Sequence, residues 1–185
     1  MSIQDFTLYS GAASGTESFF GEVAEQWDID EVNFSFEGHN DQRTRGLKVL
    51  TQSELVTGDV SLAYLGKLMN RNYKDTPMFR NVLRSIWHQV NAGQQVFVIG
   101  WITSDGTVKG GTGWGAEFAK LCNKPLFVFD QEREGWFRWN GSGWEDGAEP
   151  KISATHFTGT GTRFLTDAGK AAINGLFSRS FGAQG

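Results

Sequence analysis

Closely spaced glycines and a glutamate in the middle of the chain have the pattern of a phosphate site. Residues 109–120 read KGGTGWGAEFAK, which contains Gly110, Gly111, Thr112 and Gly113. A glycine turn at the start of a helix leaves the first backbone N–H groups without helical acceptors, and the helix dipole favours an anion there. The segment predicts a phosphate site, although a tight strand-to-helix turn with no ligand would show the same glycines.

Apolar runs on both sides of this segment indicate the elements that position it. The run QVFVIGW (95–101) precedes the glycines and PLFVFD (125–130) follows them, which indicates the order strand, glycine turn, helix, strand. Strands that alternate with helices predict a mainly parallel sheet with helices on both faces. We therefore predict one domain over residues 1–185, an α/β Rossmann-like three-layer sandwich with its ligand cleft at the carboxyl ends of the strands.

Two more junctions of this kind lie near the ends of the chain. Residues 6–17 lead from a short strand through GAASGT into a helix, and TGTGTR (158–163) precedes the last helix. Because parallel strands bring their carboxyl ends to one edge of a sheet, we expect both junctions to be walls of the same cleft. A plain turn capped by Ser14 or Thr16 is the alternative for the first junction. The predicted ligand contacts in these walls are Ser10, Gly11, Ala12, Gly15, Gly161, Thr162 and Arg163.

Two side chains outside the glycine turns are further candidates for ligand contacts. His39 lies in the polar loop 37–45, where it could reach a ligand phosphate or base, and a solvated loop histidine is the alternative. Arg80 follows Pro77 near the start of a predicted helix, and its planar guanidinium suits a phosphate or a carboxylate. A solvated or salt-bridged arginine fits the spacing equally well.

An aromatic-rich segment in the C-terminal half predicts a small β-hairpin. Asn140 and Gly141 separate two short aromatic runs within residues 135–144, which is typical of a tight turn between antiparallel strands. We expect this hairpin to cap one edge of the parallel sheet, with Trp136 stacked on a nucleobase or, alternatively, a core or edge-covering residue.

Composition and charge exclude several classes of protein. Apolar residues make up 39% of the chain, enough for a packed core, and the net charge of −4 argues against general binding to nucleic acids or membranes. No spacing of His, Cys, Asp and Glu matches a metal site, so we predict no metal, and we predict no cofactor.

The single cysteine and the two ends of the chain carry less specific expectations. Cys122 has no partner for an internal disulfide, and we expect a structural thiol on the buried face of its helix. The first residues match no leader pattern, which predicts a cytoplasmic protein, and residues 182–185 are expected to form a frayed tail.

Taken in order, these junctions resemble those of the SLOG superfamily over nearly the whole chain. The resemblance rests on residues 10–17, 80–81, 110–117, 125–130 with Trp136, and 159–163. It is strongest to the YpsA-like branch, which includes proteins labelled as molybdenum carriers, and weaker to the LOG phosphoribohydrolases, which release a free base from a nucleoside monophosphate. The LOG motif is Pro-Gly-Gly-x-Gly-Thr-x-x-Glu. This chain matches its three glycines and its glutamate, whereas Lys109 replaces the proline and Trp114 replaces the threonine.

The resemblance implies roles for individual residues. Glu117 falls on the catalytic glutamate of the LOG enzymes, Arg80 is the better candidate for their catalytic arginine, and Asn81 and Asp130 are implied ligand contacts. A carboxylate can stabilise an oxocarbenium-like ribosyl centre and orient water, while an arginine holds phosphate or the leaving group. The threonine hydroxyl that could bind phosphate is lost, and the Trp114 indole in its place would narrow the pocket or stack on a base. The LOG-like relatives also imply a homo-oligomer, a dimer or larger.

Two functions from different classes follow, and we favour the first. It is the binding of a nucleotide or a nucleotide-derived signalling molecule by a sensor or sequestering protein. The second is a phosphoribohydrolase that cleaves the N-glycosidic bond of a nucleoside monophosphate through Glu117 and Arg80. Carriage of a molybdenum cofactor is third, because it rests on the label of the branch alone.

Overall fold

The computed structural model describes residues 1–73 and 75–182, and within them it confirms the three-layer α/β fold. The strands are β1 (Thr7–Gly11), β2 (Asp30–Ser35), β3 (Leu47–Val49), β4 (Gln95–Gly100), β5 (Leu126–Asp130), β6 (Gly135–Trp139), β7 (Trp144–Glu145) and β8 (His156–Gly161). The helices are α1 (Thr16–Gln26), α2 (Gln52–Leu55), α3 (Asp59–Leu68), α4 (Pro77–Ala92), α5 (Thr112–Leu121) and α6 (Asp167–Phe181). Residues 183–185, at the end of the predicted frayed tail, lie outside the described part.

The strands form one mostly parallel sheet in which the last strand lies in the middle. Their order is β3-β2-β1-β8-β4-β5-β6-β7. The antiparallel strands β6 and β7 are the predicted hairpin, and they extend one edge of the parallel part. Strand β8 lies between β1 and β4, with Phe157 beside Leu8 and Gly159 beside Phe97. The carboxyl ends of β1, β8 and β4 therefore lie side by side.

The two faces of the sheet pack against different helices, as the alternation along β4 demonstrates. All six residues of β4 are buried. Phe97 and Ile99 belong to a core cluster with residues of α1 and α6, whereas Val96 and Val98 belong to a cluster with residues of α3, α4 and α5. Because successive side chains of a strand point to opposite faces, the sheet is the middle layer between these groups of helices.

The helices begin in two different ways. At α4 the side chain of Thr76 accepts a hydrogen bond from the backbone N–H of Phe79, and Thr166 caps α6 in the same manner. Helices α1 and α5 follow Gly15 and Gly111 instead, and neither has a side-chain cap. The alternative in which Ser14 or Thr16 caps α1 is therefore wrong. The first N–H groups of these two helices are left for other partners.

The position of Cys122 corrects one expectation. The residue follows the last turn of α5 and is exposed, because Phe118 and Ala119 occupy the buried positions of that turn. Within residues 1–73 and 75–182, every helix is too short or too polar to cross a membrane.

Candidate functional site

The first and last glycine junctions meet at the carboxyl ends of β1 and β8, but their predicted contact residues line neither of the two cavities described below. The backbone N–H and the hydroxyl of Thr16 both donate to the carbonyl oxygen of Thr162, at 3.1 and 2.6 Å. Gly15 has a φ of +90°, and a Cβ at this position would lie 2.5 Å from the Cα of Arg163. Only glycine allows this approach, so Gly15 joins the two junctions into one wall.

Ser10 and Ala12 of this wall bind other backbone groups, whereas Arg163 is exposed and its guanidinium lies over the ring of Phe164. The buried hydroxyl of Ser10 donates to the carbonyl oxygen of Gly159 at 2.6 Å and ties β1 to β8. The carbonyl oxygen of Ala12 accepts from the N–H of Gln42, which draws the loop 37–45 over the end of β1. His39 in that loop is not simply solvated, because its Nδ1 lies 2.6 Å from Oδ1 of Asp41 and its side chain is 10% exposed.

A buried carboxyl group that sequence reasoning missed lies beneath these junctions. Oε1 of Glu17 accepts from Nε2 of Gln89 at 3.0 Å and from the hydroxyl of Thr160 at 3.2 Å, and Oε2 accepts from the N–H of Ala13 at 3.3 Å. The carboxyl fills the space in which Gly11 lacks a side chain. Burial raises the pKa of Glu17, and its hydrogen bonds oppose the rise. The sequence does contain a signal for this carboxyl group, because Glu17 is an acidic residue in the first turn of the helix that follows GAASGT.

The central glycine turn presents unpaired donors at the start of α5. Among the described residues, no acceptor takes the N–H groups of Gly110, Gly111 or Thr112. The φ of Gly110 is +71°, which places it in the left-handed region that glycine tolerates. Successive unpaired donors at a helix start are typical of anion sites, so the phosphate site stays a prediction that this geometry is compatible with.

A cavity of about 320 Å³ opens at this turn, and aromatic side chains form part of its wall. The ring of Tyr73 lies 6.2 Å from that of Phe79 and 5.9 Å from that of Trp114, measured between centroids. Trp114 is 3% exposed, and its indole N–H has no acceptor among the described residues. The lining consists of Arg71, Asn72, Tyr73, Phe79, Lys109, Gly110, Gly111 and Trp114. A second cavity, of about 470 Å³, shares Arg71, Asn72 and Tyr73 with the first.

Two cationic side chains border the first cavity, and only one of them is already held by hydrogen bonds within the fold. Arg71 donates from Nη1 to the carbonyl oxygen of Val108 at 2.7 Å and from Nη2 to the hydroxyl of Thr107, so it holds the turn in place. Lys109 is exposed, and in the part of the chain that the structure describes it contacts the ring of Trp101 but no carboxylate. Lys109 is therefore the cation available to a ligand.

The two residues implied as catalytic are not brought together. Arg80 pairs with Asp75 beside the cavities. Glu117 pairs with Lys120 at 2.6 Å, and the Lys120 ammonium also donates to the carbonyl oxygen of Gly106 and lies 3.9 Å from the ring centroid of Trp139. Each residue turns a helix by about 100°, so Glu117 lies roughly opposite Gly115, which packs against Ile86 of α4. Glu117 therefore faces the hairpin, and Arg80 lies on α4.

The other residues implied by the resemblance have partners within the fold. Oδ1 of Asn81 accepts from Arg84 at 3.0 Å. Asp130 is 2% exposed, and its carboxylate accepts from the N–H groups of Ile102, Glu132 and Arg133 at 2.9 to 3.0 Å. Asp130 thereby fixes the ends of β4 and β5. Trp136 packs on Phe129 in the core, in agreement with the alternative of a core or edge-covering residue.

The described residues contain no group of three His, Cys, Asp or Glu side chains that could hold a metal ion. Fold and site together define a Rossmann-like α/β protein with glycine turns at the carboxyl ends of its strands. Comparison with known proteins finds no match to any family model, curated protein or solved structure. The resemblance to the SLOG superfamily stays a prediction.

Proposed function

We propose that the protein binds a nucleotide or a nucleotide-derived molecule as a cytoplasmic sensor or sequestering protein. The phosphate lies at Gly110–Thr112, and the base lies against Tyr73 and Phe79. The observation that carries this proposal is the cavity in which Lys109 and two residues with unpaired N–H groups, Gly110 and Gly111, adjoin aromatic rings. A nucleotide combines the two chemistries that this arrangement matches, an anion and a flat aromatic ring.

No single contact at this site contributes enough binding free energy to hold a nucleotide, so several contacts must act together. A helix dipole at an exposed site contributes only about 0.3–1 kcal/mol. A hydrogen bond to a charged group contributes about 1.5–3 kcal/mol, and several such bonds with ring stacking reach a micromolar dissociation constant. The free donors and the unpaired Lys109 ammonium supply bonds of this kind without first breaking an existing ion pair.

The first experiment is mass spectrometry of the small molecules released when the purified full chain is denatured, followed by calorimetric titration with AMP and with adenosine. We expect an intact nucleotide that survives incubation with fresh protein, and tighter binding of AMP than of adenosine. Equal affinity for AMP and adenosine, or no binding of any nucleotide in a thermal-shift screen, would overturn the proposal.

Lys109→Met is expected to weaken AMP binding about tenfold or more, because it removes a charge-assisted hydrogen bond to the phosphate. The affinity for adenosine stays unchanged, since adenosine has no phosphate. Lys151→Met is the matched control, because Lys151 is also exposed but lies far along the chain from the glycine turn and lines neither cavity. Equal AMP affinity in both variants would remove Lys109 from the site.

Hydrolysis of a nucleoside monophosphate is the second candidate, and the motif match at Glu117 is the observation that favours it. The ion pair with Lys120 supports a structural role for Glu117 instead. Glu117→Gln is expected to lower the free energy of unfolding by about 1–3 kcal/mol and to leave AMP affinity unchanged. Glu22→Gln, an exposed glutamate of α1, is the control for stability. Release of free base by the wild type and its loss in Glu117→Gln would establish the hydrolase.

A further inference from the structure

The larger of the two cavities has no role in the proposed nucleotide site. Its volume of about 470 Å³ lies within the range of about 300–1,000 Å³ that is typical of ligand sites. It is lined by the second half of α3 and by residues that follow this helix, and it shares the wall at Arg71, Asn72 and Tyr73 with the first cavity. A group bound in the larger cavity would therefore adjoin a ligand at the glycine turn.

The indole N–H of Trp114 is a buried donor beside the larger cavity. Trp114 is 3% exposed, and its Nε1 atom has no acceptor among the described residues. This atom lies 3.7 Å from the place that a Cβ would take on Gly66, a residue that lines the cavity. Because a buried donor without an acceptor is unfavourable, an oxygen atom bound here would remove a cost that the free protein carries.

An acceptor borders the same gap beside Gly66. The carbonyl oxygen of Arg71 lies 3.2 Å from the place of that Cβ, and no backbone N–H in the described part of the chain donates to it. A hydroxyl group both accepts and donates, so one hydroxyl can bond the Trp114 indole and the Arg71 carbonyl together. A phosphate or carboxylate oxygen only accepts, and it would face the carbonyl oxygen without a hydrogen. The two groups together therefore favour a hydroxyl over an anion.

The rest of the lining suits a molecule with several hydroxyl groups. The side chains of Asn70 and Asn72 are exposed at the cavity, and an amide can donate and accept at once. Leu62 and Ala63 add apolar surface to the same wall. A sugar ring matches both features, because it carries hydroxyl groups at its edge and C–H groups on its faces.

We propose that the larger cavity binds a sugar, with one hydroxyl between the indole N–H of Trp114 and the carbonyl oxygen of Arg71. The sugar is either part of a nucleoside diphosphate sugar, whose phosphates lie at the glycine turn, or a free sugar. The first source rests on the proposed function, and the second does not. Trp114 lies in the first turn of α5 and lines the first cavity, so a group attached to a phosphate at this helix start has the indole as its neighbour.

Calorimetric titration of the full chain with ADP-glucose, ADP and glucose tests the site. The glucosyl group distinguishes the first two ligands, and we expect ADP-glucose to bind about tenfold more tightly than ADP, or better, through its additional hydrogen bonds. Gly66→Ala is expected to abolish this advantage and to leave ADP affinity unchanged, because the methyl group covers the indole N–H and the carbonyl oxygen. Alanine favours a helix more than glycine does, so the variant keeps α3.

Two further variants complete the test. Gly175→Ala in α6 is the matched control with unchanged affinities, since a Cβ there meets only Nη1 at the end of the Arg179 side chain. Asn70→Gly removes an amide from the cavity without strain, because the φ of Asn70 is +51°, in the region that glycine tolerates. We expect Asn70→Gly to reduce the advantage of ADP-glucose over ADP several-fold.

The outcomes separate the two sources of the sugar and the two proposals. An advantage of ADP-glucose that Gly66→Ala abolishes assigns a nucleotide-linked sugar. Binding of glucose but of neither nucleotide, again lost in Gly66→Ala, assigns a free sugar and overturns only the proposed function. Equal affinity for ADP and ADP-glucose with no binding of glucose, or an advantage that survives in Gly66→Ala, would overturn the sugar site and leave the nucleotide site standing. A protein that binds none of the three ligands would overturn both.

Discussion

Gly113→Ala is expected to lower the free energy of unfolding by about 1–3 kcal/mol, the usual cost of overpacking a tight site. A Cβ on Gly113 would overlap the carbonyl oxygen of Val108 and lie 2.7 Å from Nη1 of Arg71. The Val108 carbonyl cannot rotate away, because it accepts a hydrogen bond from Arg71 and its residue pairs with Ile102 in a β-bridge. Either the start of α5 or the turn before it must therefore move.

The same substitution is expected to weaken AMP binding at least about tenfold, because free donors at Gly110–Thr112 must keep their direction to bond one phosphate. Urea denaturation and calorimetric titration measure the two effects. Gly143→Ala is the matched control, since a Cβ there meets no atom within 4 Å. Equal stability of the two variants would contradict the packing that we describe around Gly113.

Glu17→Gln is expected to change how stability depends on pH. Burial raises the pKa of Glu17 above its ordinary value of 4.5, although hydrogen bonds from Gln89, Ala13 and Thr160 and the charge of His39 oppose the rise. Above pH 4.5 the unfolded chain loses the proton from Glu17 while the folded protein keeps it. The folded state then binds more protons, so the free energy of unfolding falls as pH rises, until the folded pKa is reached.

The expected slope from this one group is about 1.4 kcal/mol per pH unit over that window. Glutamine stays neutral in both states and has no such slope, so the stability of Glu17→Gln relative to wild type rises from pH 4.5 upward and then levels off. Urea denaturation at several pH values measures the difference. Glu22→Gln, at an exposed glutamate of α1, is the control. A difference that stays constant with pH for Glu17→Gln would mean that the folded state does not retain the proton.

The fold could be predicted because its signals are local. The apolar runs around the central glycines mark β4 and β5, and Asn140-Gly141 marks the hairpin between β6 and β7. Each signal spans fewer than about ten residues and depends on backbone preferences that neighbouring residues determine. Cys122 is the exception, because the helical pattern predicted a buried position, whereas α5 ends at Leu121 and the residue after it is exposed.

The candidate site could be predicted only in part, because its surroundings are set by distant contacts. Glu117 matches the glutamate of the LOG motif by resemblance alone, and its Lys120 partner lies over Trp139 of the hairpin, which reaches α5 only in the folded sheet. Glu17 is buried because β8, about 140 residues later, lies beside β1. Arg71 and Tyr73 lie in an irregular segment with no periodic pattern, so nothing in the sequence pointed to them as cavity walls.

The central position of β8 has a consequence for how the chain is synthesised. A growing chain that ends before residue 156 contains β1 and β4, but it lacks the strand that pairs with both of them. Two unpaired strand edges are then open to pairing with other chains, and the long-range closure that removes them is slow to form. Both edges therefore stay unpaired in the growing chain until β8 has been synthesised.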